Sequence, residues 1–385
     1  MIRHAHASWP RQRVAILAGT LARGGAEKQL VYLAEALLKG GADVRVLSLT
    51  RGEFFEPELR AIGVDPIWVG RFGSPLLRTA AVAAALRDFR PHILQAAHFY
   101  TNLYVGLAAP LCGAVGIGTA RSDIVHELQS NGRWGRWLLR VPSALVVNSH
   151  AARRNAVALG ICPESIHVLP NAIDLEIFDE LAAEGESEGP EGSAPVVVGV
   201  GSLIPAKRFD RFLRALALAR ERGSAVQGVL AGDGVERGRL EALAHELGLL
   251  PNGISFVGSR NDIPALLGHA HIYLLTSEHE GFPNVLLEAM AARLPVVTTP
   301  AGDAGVLVQH GETGFVVPQD DIEAIATRLS ELAASPELRQ RLGAAGRRRV
   351  EASYTSRALA ERAFTVYRNV AEQLGHRRAL AALSC

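Results

Sequence analysis

Apolar and polar positions alternate along this chain in regular blocks. Apolar runs at 14–17, 44–49, 66–69, 92–96, 115–119 and 144–148 have the length and character of buried strands. Between them, 26–38, 76–89, 101–112 and 136–140 carry apolar residues at helical spacing. The alternation stops at 181–195 (LAAEGESEGPEGSAP), an acidic, Gly-rich stretch with the composition of a solvated linker. It then restarts, with strands predicted at 196–201, 226–231, 254–257, 272–275, 296–299 and 314–317 and helical material rich in Ala, Leu and Arg over 321–371. Strands separated by helices predict parallel βαβ units and an α/β class. The restart predicts two sheets: a leader at 1–13, a first domain at 14–180, a linker at 181–195, a second domain at 196–350 and a closing segment at 351–385.

In parallel sheets, ligands gather beyond the carboxyl ends of the strands. That rule selects Gly24, Gly25, His98, Arg121 and Asn148 in the first domain. In the second it selects Lys207, the Gly232-Asp233-Gly234 loop, Gly258 with Arg260, and Glu280. Gly24 and Gly25 form a turn between a strand and a helix, where backbone amides can approach a phosphate. The sequence there is neither GxGxxG nor a Walker motif, and a plain tight turn has the same composition. His98 can take or donate a proton near neutral pH, although a satisfied core histidine or a helix cap also fits its position. Lys207 is a mobile point charge suited to a diphosphate, and otherwise an ordinary first-turn lysine.

The densest chemistry lies in 277–292, SEHEGFPNVLLEAMAA, where a strand passes through a polar loop into an apolar helix. Pro283 suits the first helical position. The amides of Asn284, Val285 and Leu286 are then expected to be free first-turn donors, an arrangement that attracts anions. Glu280 precedes that helix start and Glu288 lies inside it, so a phosphate cradle has a carboxylate on either side. A carboxylate accepts two hydroxyl donors at once, so the combination suits a ligand with both a diphosphate and hydroxyl groups. Spacing alone fits equally well an ordinary strand–loop–helix with two solvated glutamates.

Bulk properties narrow the field. The length, 385 residues, accommodates two α/β domains. With 40 basic against 39 acidic residues, the balance argues against a nucleic-acid-binding surface. Cys112, Cys162 and Cys385 are too few and too scattered for a disulfide framework or zinc site, which suits a reducing, cytoplasmic setting. The leader is charged and lacks an apolar segment, so no secretory signal is expected; His4 and His6 are assigned to a disordered leader, not to a metal site. The uncharged run 99–120 is broken by Pro110 and glycines into a helical half and a strand half, which argues against a membrane span. The segment 131–140 (NGRWGRWLLR) alternates Trp134, Trp137 and Leu138 with Arg133, Arg136 and Arg140. It has the composition of an interfacial membrane helix, and core packing explains it as well.

The segments GGAEKQLVYLAEAL, NSHAARR, VLPNAIDLEIF, GSLIPAKRFD, AGDGVERGRLE, ISFVGSRNDIPALL, EHEGFPNVLLEAMAARLPVVTT and HGETGFVVP occur in an order that resembles family 4 of the retaining glycosyltransferases. The resemblance covers nearly the whole chain and is specific in the second half. It implies the GT-B architecture, two facing Rossmann-like domains with an interdomain cleft, the first for the acceptor and the second for a nucleotide-sugar donor. The last helix is expected to cross back to the first domain. Glu280 would contact the transferred sugar, Glu288 the ribose hydroxyls, and Lys207 the diphosphate, with the amides of Val285 and Leu286 and the Gly24-Gly25 turn. Gly281, Phe282, Asn284 and Arg260 join the donor side, and His98 and Arg121 the acceptor side, with His98 near the reacting sugar. No cofactor or metal is implied. Ser202 stands where the family often has Arg, Arg208 where Gly is common, and Ala172 where an Asn-Gly pair is usual. The acceptor is expected to be lipid-linked or a saccharide, in cell-surface or exopolysaccharide synthesis at the inner membrane face. A nonhydrolysing nucleotide-sugar epimerase and a noncatalytic nucleotide-sugar binder are the alternatives. The first lacks its further acid/base motifs here, and the second would be expected to have lost Glu280 or Lys207.

Overall fold

The computed structural model describes residues 12–121, 135–183 and 194–383. The chain forms two compact units. The first unit carries seven parallel strands, β1 (Arg13–Ala18), β2 (Asp43–Ser48), β3 (Ile67–Trp68), β4 (Ile93–Ala96), β5 (Val115–Ala120), β6 (Ala144–Val147) and β7 (Ile166–Val168), in the spatial order β3-β2-β1-β4-β5-β6-β7. The second carries β8 (Val196–Val200), β9 (Gln227–Ala231), β10 (Ile254–Gly258), β11 (Ile272–Leu275), β12 (Val296–Thr298) and β13 (Gly314–Val316), in the order β10-β9-β8-β11-β12-β13. β7 was not anticipated: three residues with a central His give no periodic signal.

Each sheet is covered on both faces, which is why its strands read as continuous apolar runs. Successive side chains of β1 point to opposite faces. Val14 and Ile16 pack with Leu33, Leu37, Phe364 and Tyr367 from the helices Gly25–Lys39 and Ser356–Gln373. Ala15 and Leu17 pack with Val82 and Val105 from Pro75–Leu86 and Asn102–Cys112. In the second unit, Val197 and Leu274 meet Phe212 and Leu216 on one face, while Val198 and Tyr273 meet Leu286 and Met290 on the other. Each such buried Val, Leu, Ile, Phe or Met side chain stabilises by about 1.5–3 kcal/mol.

The division between units does not fall in the expected linker. The first unit runs to Ala172 and resumes at Ser356; the second is Ile173–Thr355. The Gln29 side chain holds both the N–H (2.9 Å) and the carbonyl (2.7 Å) of Ala172, tying it to the first unit. One residue later, the Ile173 N–H donates to the Tyr354 carbonyl (2.8 Å). The helix Leu175–Ala183 therefore belongs to the second unit, where Phe178 is buried and Arg347 grips the Asp179 carboxylate through two bonds of 2.6 and 2.7 Å. Composition marks the solvated stretch that follows, not the crossing itself. Of the linker, 184–193 lie outside the described residues, as do 1–11 of the leader. The helix Pro336–Ser353 stays with the second unit, so the closing segment begins at Ser356, not at 351. Tyr367 on that segment donates to Gln95 Oε1 on β4 (2.6 Å).

Gly113, in left-handed conformation (φ 59°), divides the uncharged run into the helix Asn102–Cys112 and β5. Among the described residues no helix is long and apolar enough to cross a membrane. Of the 131–140 segment, Arg133 and Trp134 lie outside the described residues. Leu138 and Leu139 are buried, Arg136 and Trp137 are exposed, and Arg140 donates to the carbonyls of Leu159 (3.0 Å) and Gly160 (3.3 Å).

Candidate active site

In both sheets the strand order reverses between two central strands, β1/β4 and β8/β11. At such switch points the loops beyond the carboxyl ends diverge and leave a crevice. Each unit places an acid–base pair there.

In the first unit the pair is Glu27 and His98. His98 follows β4 and Glu27 lies in the first turn of Gly25–Lys39, and both side chains are about nine-tenths buried. The Gly19 N–H donates to His98 Nδ1 (3.0 Å), and Nε2 sits 2.9 Å from Glu27 Oε1. Because Nδ1 accepts a hydrogen bond from the backbone, the neutral ring carries its proton on Nε2, and that N–H donates a hydrogen bond to the carboxylate. Both ring nitrogens are thus engaged. A Cβ on Gly24 would come within 2.3 Å of Glu27 Oε2, so glycine there makes room for the folded-back carboxylate. The Gly-Gly turn accordingly has a specific packing reason beyond flexibility. A Cβ on Gly19 would lie 2.0 Å from the Tyr100 hydroxyl, and the Tyr100 ring stacks on His98 with centroids 5.8 Å apart. Glu53 secures the same loop, accepting from Thr20 Oγ1 (2.9 Å), the Leu21 N–H and Thr50 Oγ1 (2.5 Å). Burial pushes its carboxyl up, but the hydrogen bonds from Thr50, Leu21 and Thr20 together hold it below the usual carboxylate range.

In the second unit the pair is Lys207 and Glu280. Lys207 follows β8 and Glu280 follows β11; Lys207 Nζ donates to Glu280 Oε1 at 2.5 Å, and the Ser277 hydroxyl donates to the same oxygen at 2.7 Å. Oε2 accepts nothing among the described residues, so it is available to a hydroxyl. Burial, then the Glu288 and Glu280 carboxylates, push the fully buried Tyr273 hydroxyl up; that hydroxyl donates to the Val200 carbonyl at the end of β8 (3.5 Å). The helix Asn284–Ala291 begins one residue later than expected, with Pro283 as its N-cap in extended conformation. In consequence the Leu286 N–H is not free; it donates to the Pro283 carbonyl (3.0 Å). Among the described residues the Val285 N–H has no backbone partner outside the helix, and it remains as a first-turn donor.

Glycines let the surrounding loops close on one another. A Cβ on Gly232 would lie 1.9 Å from the Gly201 carbonyl oxygen, and one on Gly302 would lie 2.3 Å from the Glu280 carbonyl oxygen. Gly302 thus buttresses the 280–281 loop, and the Asp303 N–H donates to the Gly281 carbonyl (3.1 Å). Neither Gly302 nor Glu27 was selected from sequence. The TPAGD context of Gly302 lies at a strand end, the one signal that points to it.

Other selected residues are placed differently. The Phe282 side chain is buried against Tyr354, with centroids 5.9 Å apart. Arg260 lies beyond the edge strand β10, two strands from β8, and its Nε donates to Asp262 Oδ1 (2.8 Å). Arg208 takes a left-handed backbone (φ 48°), which explains a glycine preference at that place; its guanidinium grips Asp210 at 3.0 and 3.1 Å. Ser202 is exposed. In the first unit, Arg121 donates to Asn171 Oδ1 (3.3 Å), and its carbonyl accepts from Asn148 Nδ2 (2.7 Å). Burial brings Arg121 down to about 10, opposed by Tyr367, and no carboxylate pairs with it among the described residues. Asn148 Oδ1 is buried without a hydrogen-bond partner among the described residues.

Residues 23–177 match the family described as Glycosyltransferase Family 4, and residues 183–349 match Glycosyl transferases group 1. The chain belongs to the GT4-type glycosyltransferases. It is 27% identical over 326 residues to the putative glycosyltransferase EpsF of Bacillus subtilis (strain 168), covering 77% of this chain and 82% of that one. It is 31% identical over 168 residues to the lipopolysaccharide core biosynthesis glycosyltransferase LpsE of Rhizobium meliloti (strain 1021), covering 44% and 48%. Among solved structures, Anabaena Alr3699/HepE in complex with UDP and glucose superposes with a TM-score of 0.77 at 22% identity, covering 95% of this chain and 100% of that one. The GT4-type glycosyltransferase thus has the GT-B fold, with two Rossmann-like parallel sheets.

Proposed function

We propose that this glycosyltransferase moves a hexosyl or N-acetylhexosaminyl unit, with retention, from a nucleoside diphosphate sugar to a lipid-linked or saccharide acceptor. The setting would be cell-surface or exopolysaccharide assembly at the cytoplasmic face of the membrane. The observation that carries this is the Lys207–Glu280 pair astride the β8/β11 switch point, with a free Glu280 oxygen. LpsE, a lipopolysaccharide core biosynthesis glycosyltransferase, supports the cell-surface setting, and the UDP and glucose held by HepE support a nucleotide-sugar donor.

As the bond from sugar to diphosphate breaks, positive charge grows on the sugar and negative charge on the leaving group. Lys207 and the Val285 amide would stabilise the latter, which is preorganised electrostatic catalysis without a divalent metal. Glu280 Oε2 would orient the transferred sugar, and Glu288 would hold the ribose hydroxyls. With both nitrogens of His98 engaged, its ring is not the base. The acceptor would attack on the face that the diphosphate leaves, a leaving-group oxygen taking its proton.

The test is release of nucleoside diphosphate from UDP-glucose, UDP-N-acetylglucosamine and GDP-mannose, with and without acceptor lipid, in EDTA. Acceptor-dependent release in EDTA is the expected result. Loss of activity that magnesium or manganese restores would overturn metal independence. Interconversion of free nucleotide sugars would favour an epimerase, and donor binding without turnover a noncatalytic binder.

A further inference from the structure

At the amino edge of the first sheet, opposite the edge that holds His98, lies an open cavity of about 790 Å³. β1 separates the two edges by about 20 Å, at roughly 3.3 Å per residue. Four arginines from separate parts of the chain line the cavity: Arg13 at the start of β1, Arg87 and Arg90 after the helix Pro75–Leu86, and Arg378 on the final helix Arg377–Leu383. No carboxylate lines it among the described residues.

Part of this arrangement is structural. Arg13 Nε (2.9 Å) and Arg378 (2.6 Å) donate to the Arg90 carbonyl, and Arg378 also reaches the Cys112 (3.4 Å) and Gly113 (3.3 Å) carbonyls at the end of Asn102–Cys112. Such contacts satisfy helix-end carbonyls, but their partial charges do not neutralise two guanidinium ions. The Arg87 and Arg90 side chains make no hydrogen bond or ion pair with any described residue, and both residues are exposed. The neighbours register the excess charge. Arg378 is held below its ordinary value by burial and by Arg13 and Arg90. His92 is brought down to about 4 by burial, then by Arg13, Arg378 and His376.

Concentrated like charge in a concave site attracts counter-ions. The guanidinium fork matches phosphate oxygens in pairs. The wall between the charges is apolar, made by alanines of Pro75–Leu86 and by Leu111, which is 70% exposed. We propose that this cavity is a second site, separate from the transfer site, that binds a phosphate-bearing anion through Arg13, Arg87, Arg90 and Arg378. The phosphate is either the headgroup of an acidic phospholipid, with Leu111 against its apolar part, or a soluble polyphosphate.

The test uses the full chain and an Arg87→Ala, Arg90→Ala double variant. These two side chains hold no part of the fold, so its melting temperature should match the wild type. In one arm, both proteins are sedimented with phosphatidylglycerol–phosphatidylcholine vesicles and with phosphatidylcholine alone, at low and high salt. In the other, inorganic tripolyphosphate is titrated by calorimetry; the transfer site is intact in both proteins, so their difference reports the cavity. At low salt the variant should bind the acidic vesicles, the tripolyphosphate or both about tenfold or more weakly, since each basic contact contributes severalfold. Loss confined to vesicles identifies the lipid source, and loss confined to tripolyphosphate the soluble one. Equal behaviour of the two proteins in both arms overturns the site. If both still pellet equally with acidic vesicles, the contact lies elsewhere on the chain. Transfer to a soluble acceptor should be unchanged, so the transferase assignment is tested separately.

Discussion

The two units bring an acid and a base together over the same topological feature, yet they treat charge differently. Over β1/β4 the pair is locked. Gly19 commits one nitrogen of His98, Glu27 commits the other, and Gly24 exists at that spot to admit the carboxylate. Over β8/β11 the pair is open to competition. Lys207 sits on a flexible stem, one oxygen of Glu280 is engaged by Lys207 and Ser277, and the other is free. A locked pair presents a fixed shape with no proton to trade. An open pair presents a cation that an incoming diphosphate can draw away from its carboxylate. The same sheet topology therefore supports a rigid wall in one unit and a responsive charge in the other.

The largest effect should come from Lys207→Ala. Loss of one preorganised donor to a leaving group lowers kcat by roughly 100-fold or more, and steady-state rates on the best donor would show it. A fall below tenfold would mean that the open pair is not where charge is handled. Next is the locked pair. Glu27→Ala should lower kcat by about tenfold or more, the loss of a charge-assisted hydrogen bond, with a smaller change in donor KM. Glu27→Gln keeps an acceptor for Nε2–H and should retain most activity. Nitrogen-15 NMR should find the His98 proton on Nε2 in the wild type. Equal losses in Ala and Gln variants would show instead that the Glu27 charge takes part in proton transfer.

Glu288→Ala should weaken donor binding about tenfold by calorimetry while leaving turnover of bound donor nearly intact. Glu280→Ala should do the reverse, and matching mild effects in both would sink their division of labour. Acid should distinguish the units as well. The Glu53 carboxyl, held below its ordinary 4.5, contributes stability that is complete above that value and is lost as pH falls through the folded one. Hydrogen exchange at Leu21 should accelerate there in the wild type; in Glu53→Gln it should already be fast at neutral pH. The smallest effect belongs to Arg208→Gly. Relief of a left-handed residue, worth roughly 1 kcal/mol, offsets the loss of partly exposed ion pairs worth about 0–1 kcal/mol, so the melting temperature should barely move.

Much of this was legible because it is local. Buried parallel strands announce themselves as apolar runs, and Glu280, Pro283 and Glu288 lie on one strand–loop–helix whose spacing can be read directly. The resemblance to family 4 includes that same stretch. What escaped depends on distance along the chain or on single-residue geometry. Glu27 meets His98 across 71 positions. Gly302 matters through a Cβ it lacks. The Leu286 amide is consumed because the helix starts one residue late. The crossing at Ala172/Ile173 is set by Gln29 and Tyr354, neither of which is near it in sequence.

By itself, then, the sequence determined the α/β class, the two sheets and the glutamates flanking the helix start, because periodicity and turn chemistry act within a few residues. Tertiary structure decided which acid meets which base, which amides stay free and where the units divide. The acid–base pairs depend on strand order, because the reversals between β1 and β4 and between β8 and β11 bring loops far apart in the chain within hydrogen-bonding reach, while the division depends on Gln29 and Tyr354 and the free amides on where the helix starts.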